Sequence, residues 1–511
     1  MSSNQSHTDD TVRGLSWNTL RVLFQTFSSI FVIALLARFL PPADFGLMAL
    51  ALFVIGFGDL LGTLGMGPAI IQRKQLTAQD TKVAQTLSIL IGSIVTAGVC
   101  LSAPFVALYF EQPPLERMIY ILSITLWLSA FSAVYRGLLI RRLDFKSIFL
   151  VDFSAYVFGY VLVTIACIFN GLGVMSLVYG ALAQSLLMTL LLILANRQLL
   201  GVGFNRATAK KLMYFGTGQS LNGAVNYFAA NVDTLFIGKF LGPASLGLYS
   251  RASQLMTLPI TKLASSISSV MFSSYSQIQT DKLLLKRNYL AVVELTSLVI
   301  FPILAGFIIG AHWLIVGLFG DNWQDIVVAF QILCIAGVFK TVFNLAGSII
   351  QALGLVYKEL KRQGLYLAIL LIGCLSVVSY GVEAVAWVVV IASLFLYVSL
   401  NQLVLKLIEC DWRLFFKAQK PGCILALMII IFGAMFNFLV GHFFNGPAEL
   451  LLALFIVQCA LVYIGAILWL PSSVIGLMPG QVLQRFSHRM PSQMVNFIAK
   501  YSVHTLIRDK V

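Results

Sequence analysis

Apolar residues fill this chain in long runs separated by short polar breaks, and each run approaches the roughly 20 residues that a helix needs to cross a bilayer. Fourteen such runs can be drawn, over 16–40, 45–70, 83–109, 116–140, 148–169, 174–195, 212–237, 248–271, 289–318, 326–353, 365–380, 384–405, 422–440 and 449–470. The pattern predicts an all-α polytopic membrane protein with about fourteen transmembrane helices. The run from Val22 to Leu36 is as apolar as the core of a secretory signal. It lacks a small-residue cleavage site and a basic leader, so it is read as the first span. Residues 1–15 form a polar tail, and 471–511 mix Leu, Ile and Phe with Arg, His and Lys. The second tail is too polar to span and is read as a cytoplasmic amphipathic segment lying on the interface.

Composition narrows the class without changing this picture. Of the 511 residues, 59% are hydrophobic and 11% charged, where a soluble domain carries about 25% charged residues to cover its surface. Soluble, disordered and collagen-like readings are excluded. Seven Cys are scattered, with no CxxC pair and no His nearby, which predicts buried thiols and neither a disulfide framework nor a metal site.

A net charge of +14 would suggest nucleic acid as the partner of a soluble protein. Here most basic residues fall in alternate breaks, for example Arg73, Lys74 and Lys82; Arg141, Arg142 and Lys146; Lys282, Lys286 and Arg287; Lys358, Lys361 and Arg362. The intervening breaks hold Asp44, Glu111, Glu116, Asp321, Asp325, Glu383 and Glu449, with Arg117 their only clear basic residue. The positive-inside rule then predicts both termini in the cytoplasm and an even number of spans, with no nucleic-acid partner.

Set against itself at an offset of 201, the chain aligns ARFLPPADFGLMALA at 37–51 with GKFLGPASLGLYSRA at 238–252, identical at seven of fifteen positions. The identities include Pro42/Pro243, Ala43/Ala244 and Gly46/Gly247, and Arg38/Lys239 keeps its charge. Each segment is the outer turn after the first span of a six-span block, so the repeat is parallel. The predicted domains are an N-lobe of six spans over 16–200, a C-lobe of six over 201–408, and two further spans over 409–470. Paired lobes of this kind are a transporter architecture, with substrate bound where the lobes meet.

The same offset pairs polar residues inside the membrane: Asn18 with Gln219, Arg21 with Asn222, and Gln25 with Asn226. On one helix Gln219, Asn222, Asn226 and Asp233 fall within about 60° of one another. Lipid would penalise such stripes, which must face protein or water. Candidate cavity residues are therefore Arg21, Gln25, Asn222, Asn226, Arg251, Lys262 and Lys340. Arg251 and Lys262 lie about 20° apart around span eight, where Pro259 is a candidate kink or opening. Asp233 and Asp59 are the candidates for H⁺ or Na⁺ coupling, and Asp59 is also matched in depth with Lys262. Arg38 and Lys239 are charges at outer helix ends, and Arg136 with Asp152 reads as a local ion pair.

No P-loop, GxSxG motif or His cluster is present, and no outward break is long, so no enzyme is predicted and no cofactor is called for. The segment LARFLPPADFGLMALALFVIGFGDLLGTLGMGPAIIQRK at 36–74, with RRLDFK at 141–146, GLGVMSLVYG at 171–180, FIGKFLGPASLGLYSRA at 236–252 and FGDNWQDIVVAFQILC at 319–334, resembles the bacterial polysaccharide transporter family. These oligosaccharide-lipid flippases are part of the multidrug, oligosaccharidyl-lipid and polysaccharide exporter superfamily. The resemblance implies two six-helix lobes around a central cavity in the bacterial inner membrane. It also implies translocation of an undecaprenyl-diphosphate-linked repeat unit for exopolysaccharide, capsule or O-antigen synthesis, with polymerase and glycosyltransferases as functional partners. A cavity lined by Arg and Lys, Asn and Gln suits a diphosphate carrying a sugar. An ion-coupled exporter of cationic drugs predicts a cavity dominated by acids instead, and a polymerase or ligase of lipid-linked sugars predicts a larger outward loop.

Overall fold

The computed structural model describes Phe24 and residues 28–73, 76–196, 201–279, 281–443 and 446–471. Every regular element among them is helical. In chain order they are α1 Ser28–Ala37, α2 Pro42–Gly62, α3 Met66–Gln72, α4 Ala78–Phe110, α5 Pro113–Arg141, α6 Phe145–Ser154 and α7 Leu162–Phe169, joined by a π segment, Ala155–Val161. There follow α8 Met175–Asn196, α9 Arg206–Phe240, α10 Gly242–Gln277, α11 Lys282–Ile309, α12 Ala311–Phe319, α13 Val327–Ala352, α14 Val356–Val377, α15 Val382–Leu407, α16 Trp412–Phe443 and α17 Ala448–Trp469.

Local chemistry sets these boundaries. Pro occupies the first positions of α2 and α5, where its missing N–H costs nothing. Thr77 and Asp80 exchange hydrogen bonds of 3.0 and 3.2 Å in a capping box that opens α4. Asp144, Asn205 and Asp281 cap α6, α9 and α11 through their side chains. Run nine, continuous in its apolarity, is divided at Gly310 into α11 and α12.

Eleven spans meet both the length and the apolarity of a membrane crossing. The other three of the fourteen predicted runs differ for identifiable reasons. The first is described as a helix only over Ser28–Ala37. α9 and α10 are 35 and 36 residues long, ample to cross, but the polar residues they carry leave them short of the apolarity of the rest. α10 remains helical through Pro259, so that proline does not open it.

The helices group into two compact units that divide within α10, between Ser250 and Arg251. In the first, α5 packs against α2, α3, α4 and α8, and α9 lies along α2. Its interior is aliphatic, around Met66, Ile70, Val83, Val134 and Leu138. In the second, α11 packs on α13 and α16, and α15 on α13 and α14. A buried Tyr289 hydroxyl there donates to Asn401 at 2.5 Å. Large apolar side chains such as Leu101, Phe105 and Leu108 stand exposed along α4, as on a surface that faces lipid.

Candidate functional site

α9 is the helix whose composition departs furthest from its neighbours, and its packing explains how a polar face is kept out of lipid. Gly216, Ser220, Gly223 and Tyr227 recur at helical spacing and meet α2 and the turn after it. Ser220 donates to the Leu60 carbonyl at 3.2 Å and Tyr227 to that of Phe53 at 2.8 Å, while Gly216 and Gly223 lie against Leu64 and Leu60. At 100° per residue, positions 219, 222, 226 and 233 lie about 100° round the helix from that row. The polar row is thus distinct from the α2 contact. Asn226 is exposed. Asp233 accepts hydrogen bonds from the Tyr249 hydroxyl of α10 at 2.5 Å and from the Thr234 amide at 2.8 Å. Tyr249 is itself buried, so this carboxylate is anchored to the next helix on one side.

The two copies of the repeat meet in space. Gly46 of α2 sits on the carbonyl of Pro243, and Gly247 of α10 sits on the carbonyl of Pro42. Each repeat thus contributes one glycine and one proline carbonyl to a reciprocal crossing of two helix N-terminal turns. A Cβ at either glycine would overlap the opposite carbonyl, which accounts for glycine at both positions.

The remaining site candidates fall in different places. Asp59 is partly buried on α2, with Ser129 of α5 beside its carboxylate. Arg251 donates to Gln254 one helical turn on, at 2.6 Å. Lys340 is partly exposed on α13, and Arg38 is exposed just beyond α1. Arg21, Gln25 and the tail beyond residue 471 lie outside the described residues, as do the side chains of Gln219, Asn222 and Lys262.

Lys239, in the last turn of α9, does more than reach the interface. Its Nζ lies 2.8 Å from Glu111 Oε1 and 5.2 Å from the centre of the Tyr109 ring. That hydrogen bond and charge hold the Glu111 carboxyl below its ordinary 4.5. A carboxylate with a lowered folded pKa contributes stability that is complete above its unfolded pKa and disappears as pH falls through the folded value. The difference in thermal stability between wild type and Glu111→Gln is therefore expected to be small and constant above about pH 4.5, and to vanish in acid. Melting curves across that range check it.

Arg136 and Asp152 form the ion pair read from their positions, in bidentate geometry with both N–O distances 2.9 Å. The pair lines a cavity of about 170 Å³ with Phe149, Phe153, Tyr156 and Gln184. Breaks that the charge alternation assigns to one side also converge. Arg141 donates to the carbonyls of Ile70 and Ile71 at 2.9 and 3.1 Å. Lys282, Lys358, Arg362 and Lys406 surround a single groove. Among the described residues no three His, Cys, Asp or Glu side chains group as metal ligands would, and all seven cysteines are free thiols.

Sequence reasoning missed Tyr227, Tyr249 and Ser129. Tyr227 sits one residue from the polar row, and nothing in spacing alone distinguishes it from an apolar packing residue. The Gly46 and Gly247 identities were visible, but not that the two glycines touch each other's repeat.

Comparison with known proteins completes the description. Residues 35–328 match the family described as "Polysaccharide biosynthesis protein". The lipopolysaccharide biosynthesis protein WzxC of Escherichia coli K12 is 26% identical over 346 residues, 67% of this chain and 70% of that protein. The teichuronic acid biosynthesis protein TuaB of Bacillus subtilis 168 is 25% identical over 463 residues, 90% of this chain and 95% of that protein. Among solved structures, the lipid II flippase MurJ in its inward closed conformation superposes with a TM-score of 0.69 at 15% identity, covering 87% of this chain and 96% of that one. The likeness to MurJ places the helices in a known transporter fold. With more than half its length matched to one family, and with the motifs of the polysaccharide transporters in order along it, the chain belongs to the polysaccharide biosynthesis protein family of membrane transporters.

Proposed function

We propose that this protein is a flippase of the bacterial inner membrane that translocates an undecaprenyl-diphosphate-linked oligosaccharide repeat unit for synthesis of a surface polysaccharide. Its two six-span lobes, 16–200 and 201–408, alternate access to a polar, cationic cavity, and both termini lie in the cytoplasm. Arg21, Arg251, Lys262 and Lys340 hold the diphosphate, Gln25, Asn222 and Asn226 contact the sugars, and the lipid tail stays in the bilayer. The protein makes and breaks no covalent bond. Polymerase and glycosyltransferases work before and after it on the same carrier.

The observation that carries this reading is α9. A 35-residue helix packed on α2 carries, clear of that contact, an exposed Asn226 and an Asp233 held by Tyr249 and the Thr234 amide. An ionisable residue within a span marks a functional site by default. The family membership and the names of the relatives, two of which are biosynthesis proteins for surface polymers, point to the same class of cargo. A driving ion enters at Asp233, which Tyr249 and the Thr234 amide hold in place.

Removing the diphosphate-binding charges is expected to cut polymer export at least tenfold in cells carrying the Arg21→Ala, Lys262→Ala double variant. Cell-surface polymer is measured against protein abundance. Wild-type output at wild-type abundance would overturn the assignment.

A further inference from the structure

One end of the second unit carries a groove of about 610 Å³ between the starts of α11 and α14 and the end of α15. Lys282, Lys358, Arg362 and Lys406 line it together with Gln402 and Leu403. These four cations come from three separate breaks of the chain. Lys282 is balanced by Glu409, 2.6 Å away, whose own carboxyl is held below its ordinary range by that contact. Lys286 adds a bond to the Glu409 carbonyl at 3.1 Å. Lys358 and Lys406 make no ion pair among the described residues, and Arg362 spends Nε and one Nη1 donor on the Ser399 and Lys358 carbonyls. Among the described residues, then, three cations face one space with no ion-pair partner.

The surroundings indicate what kind of anion fits. Leu283 and Tyr357 are 78% and 87% exposed beside Lys282 and Lys358, and Leu360 is exposed on the same turn. Exposed leucine and tyrosine next in sequence to the groove's lysines suit a site at headgroup level, where apolar and polar groups meet. The tail beyond 471 has five Lys and Arg against a single Asp, so it is a poor filler for a cationic groove. We propose that this groove binds the phosphate of an anionic membrane lipid in the cytoplasmic leaflet, as basic pockets between membrane helices do. The lipid phosphate has two sources, bulk anionic phospholipid and the diphosphate of a polyprenyl carrier. Only the choice of leaflet rests on the sidedness proposed above.

Native mass spectrometry of the detergent-solubilised full chain, with cardiolipin, undecaprenyl diphosphate or phosphatidylcholine added in turn, tests it. The wild type is expected to retain one of the two anionic lipids over phosphatidylcholine. Preference for cardiolipin identifies bulk lipid as the source, and retention of undecaprenyl diphosphate that survives in the Arg21→Ala, Lys262→Ala variant identifies the carrier. Each charge removed in the series Lys358→Gln, Arg362→Gln, Lys406→Gln should weaken retention about fivefold, while Lys358→Arg with Lys406→Arg retains it. Equal retention of phosphatidylcholine, or a triple variant that binds as its parent does when made in the Arg21→Ala, Lys262→Ala background, would overturn the proposal. The Arg21→Ala, Lys262→Ala variant removes the proposed cavity's hold on the diphosphate and should still retain lipid in the groove, so loss of export and loss of this site are read separately.

Discussion

Asp152→Ala is expected to destabilise the first unit by about 1 to 3 kcal/mol, because it leaves the partly buried Arg136 guanidinium without its counter-charge. The two side chains are joined by a pair of 2.9 Å hydrogen bonds and stand among Phe149, Phe153 and Met188. The Met188 sulfur at 3.8 Å is a weak acceptor and replaces the carboxylate only in part. Arg136→Ala should cost a similar amount for the mirror reason. The double variant Arg136→Met, Asp152→Leu removes both charges and fills the volume. It should recover most of the loss, since a buried pair contributes little net stability over well-packed apolar residues. Thermal unfolding in detergent, followed by tryptophan fluorescence, separates the cases. Single variants as stable as the wild type would show that the pair is solvated and holds nothing together.

Leucine at Gly46 or at Gly247 is expected to destabilise the protein by about 1 to 3 kcal/mol, the usual range for overpacking a close contact. The obstacle is backbone: the carbonyl of Pro243 faces Gly46, and that of Pro42 faces Gly247. A flexible side chain could swing away, but a carbonyl in the first turn of a helix cannot do so without moving the helix. Because the two positions share one crossing, the double variant should cost less than the sum of the singles. Gly98 of α4 is a matched control, having no atom within 4 Å of an added Cβ, and Gly98→Ala should be neutral or mildly stabilising. An unchanged melting temperature in Gly46→Leu would mean that the two repeats do not rely on this crossing.

Much of the fold was legible because a membrane leaves few alternatives: a long apolar run must be a helix. Eleven of the predicted runs are helices of sufficient length and apolarity, and the resemblance to the polysaccharide transporters holds across residues 35–328. Charge sorting was informative too, since Lys282, Lys358 and Lys406, far apart in sequence, share one groove. The Arg136 and Asp152 pair was legible because opposite charges at matching depth on adjacent spans have little else to meet. Illegible features depend on neighbours that sequence does not order. The π segment at Ala155–Val161 and the division at Gly310 sit inside unbroken apolar runs, where hydropathy carries no mark of either. Asp59 matched Lys262 by depth, and the Lys262 side chain lies outside the described residues; Ser129 stands beside the Asp59 carboxylate, a small residue on another helix that periodicity could not single out. Tyr249 reaches Asp233 across the turn between α9 and α10, and its counterpart in the first repeat is Met48, so the repeat gave no hint of a hydroxyl there.

The proposed translocation is tested most directly by reconstituting the purified protein into liposomes loaded with undecaprenyl-diphosphate-linked oligosaccharide and following exposure of the sugar to a membrane-impermeant glycosidase. With wild-type protein the digestible fraction should rise from about half, the share in the outer leaflet, towards completion. With the Arg21→Ala, Lys262→Ala variant it should stay near half. A wild-type protein that leaves the inner-leaflet sugar protected, or a variant that exposes it as fast as the wild type, would contradict the account.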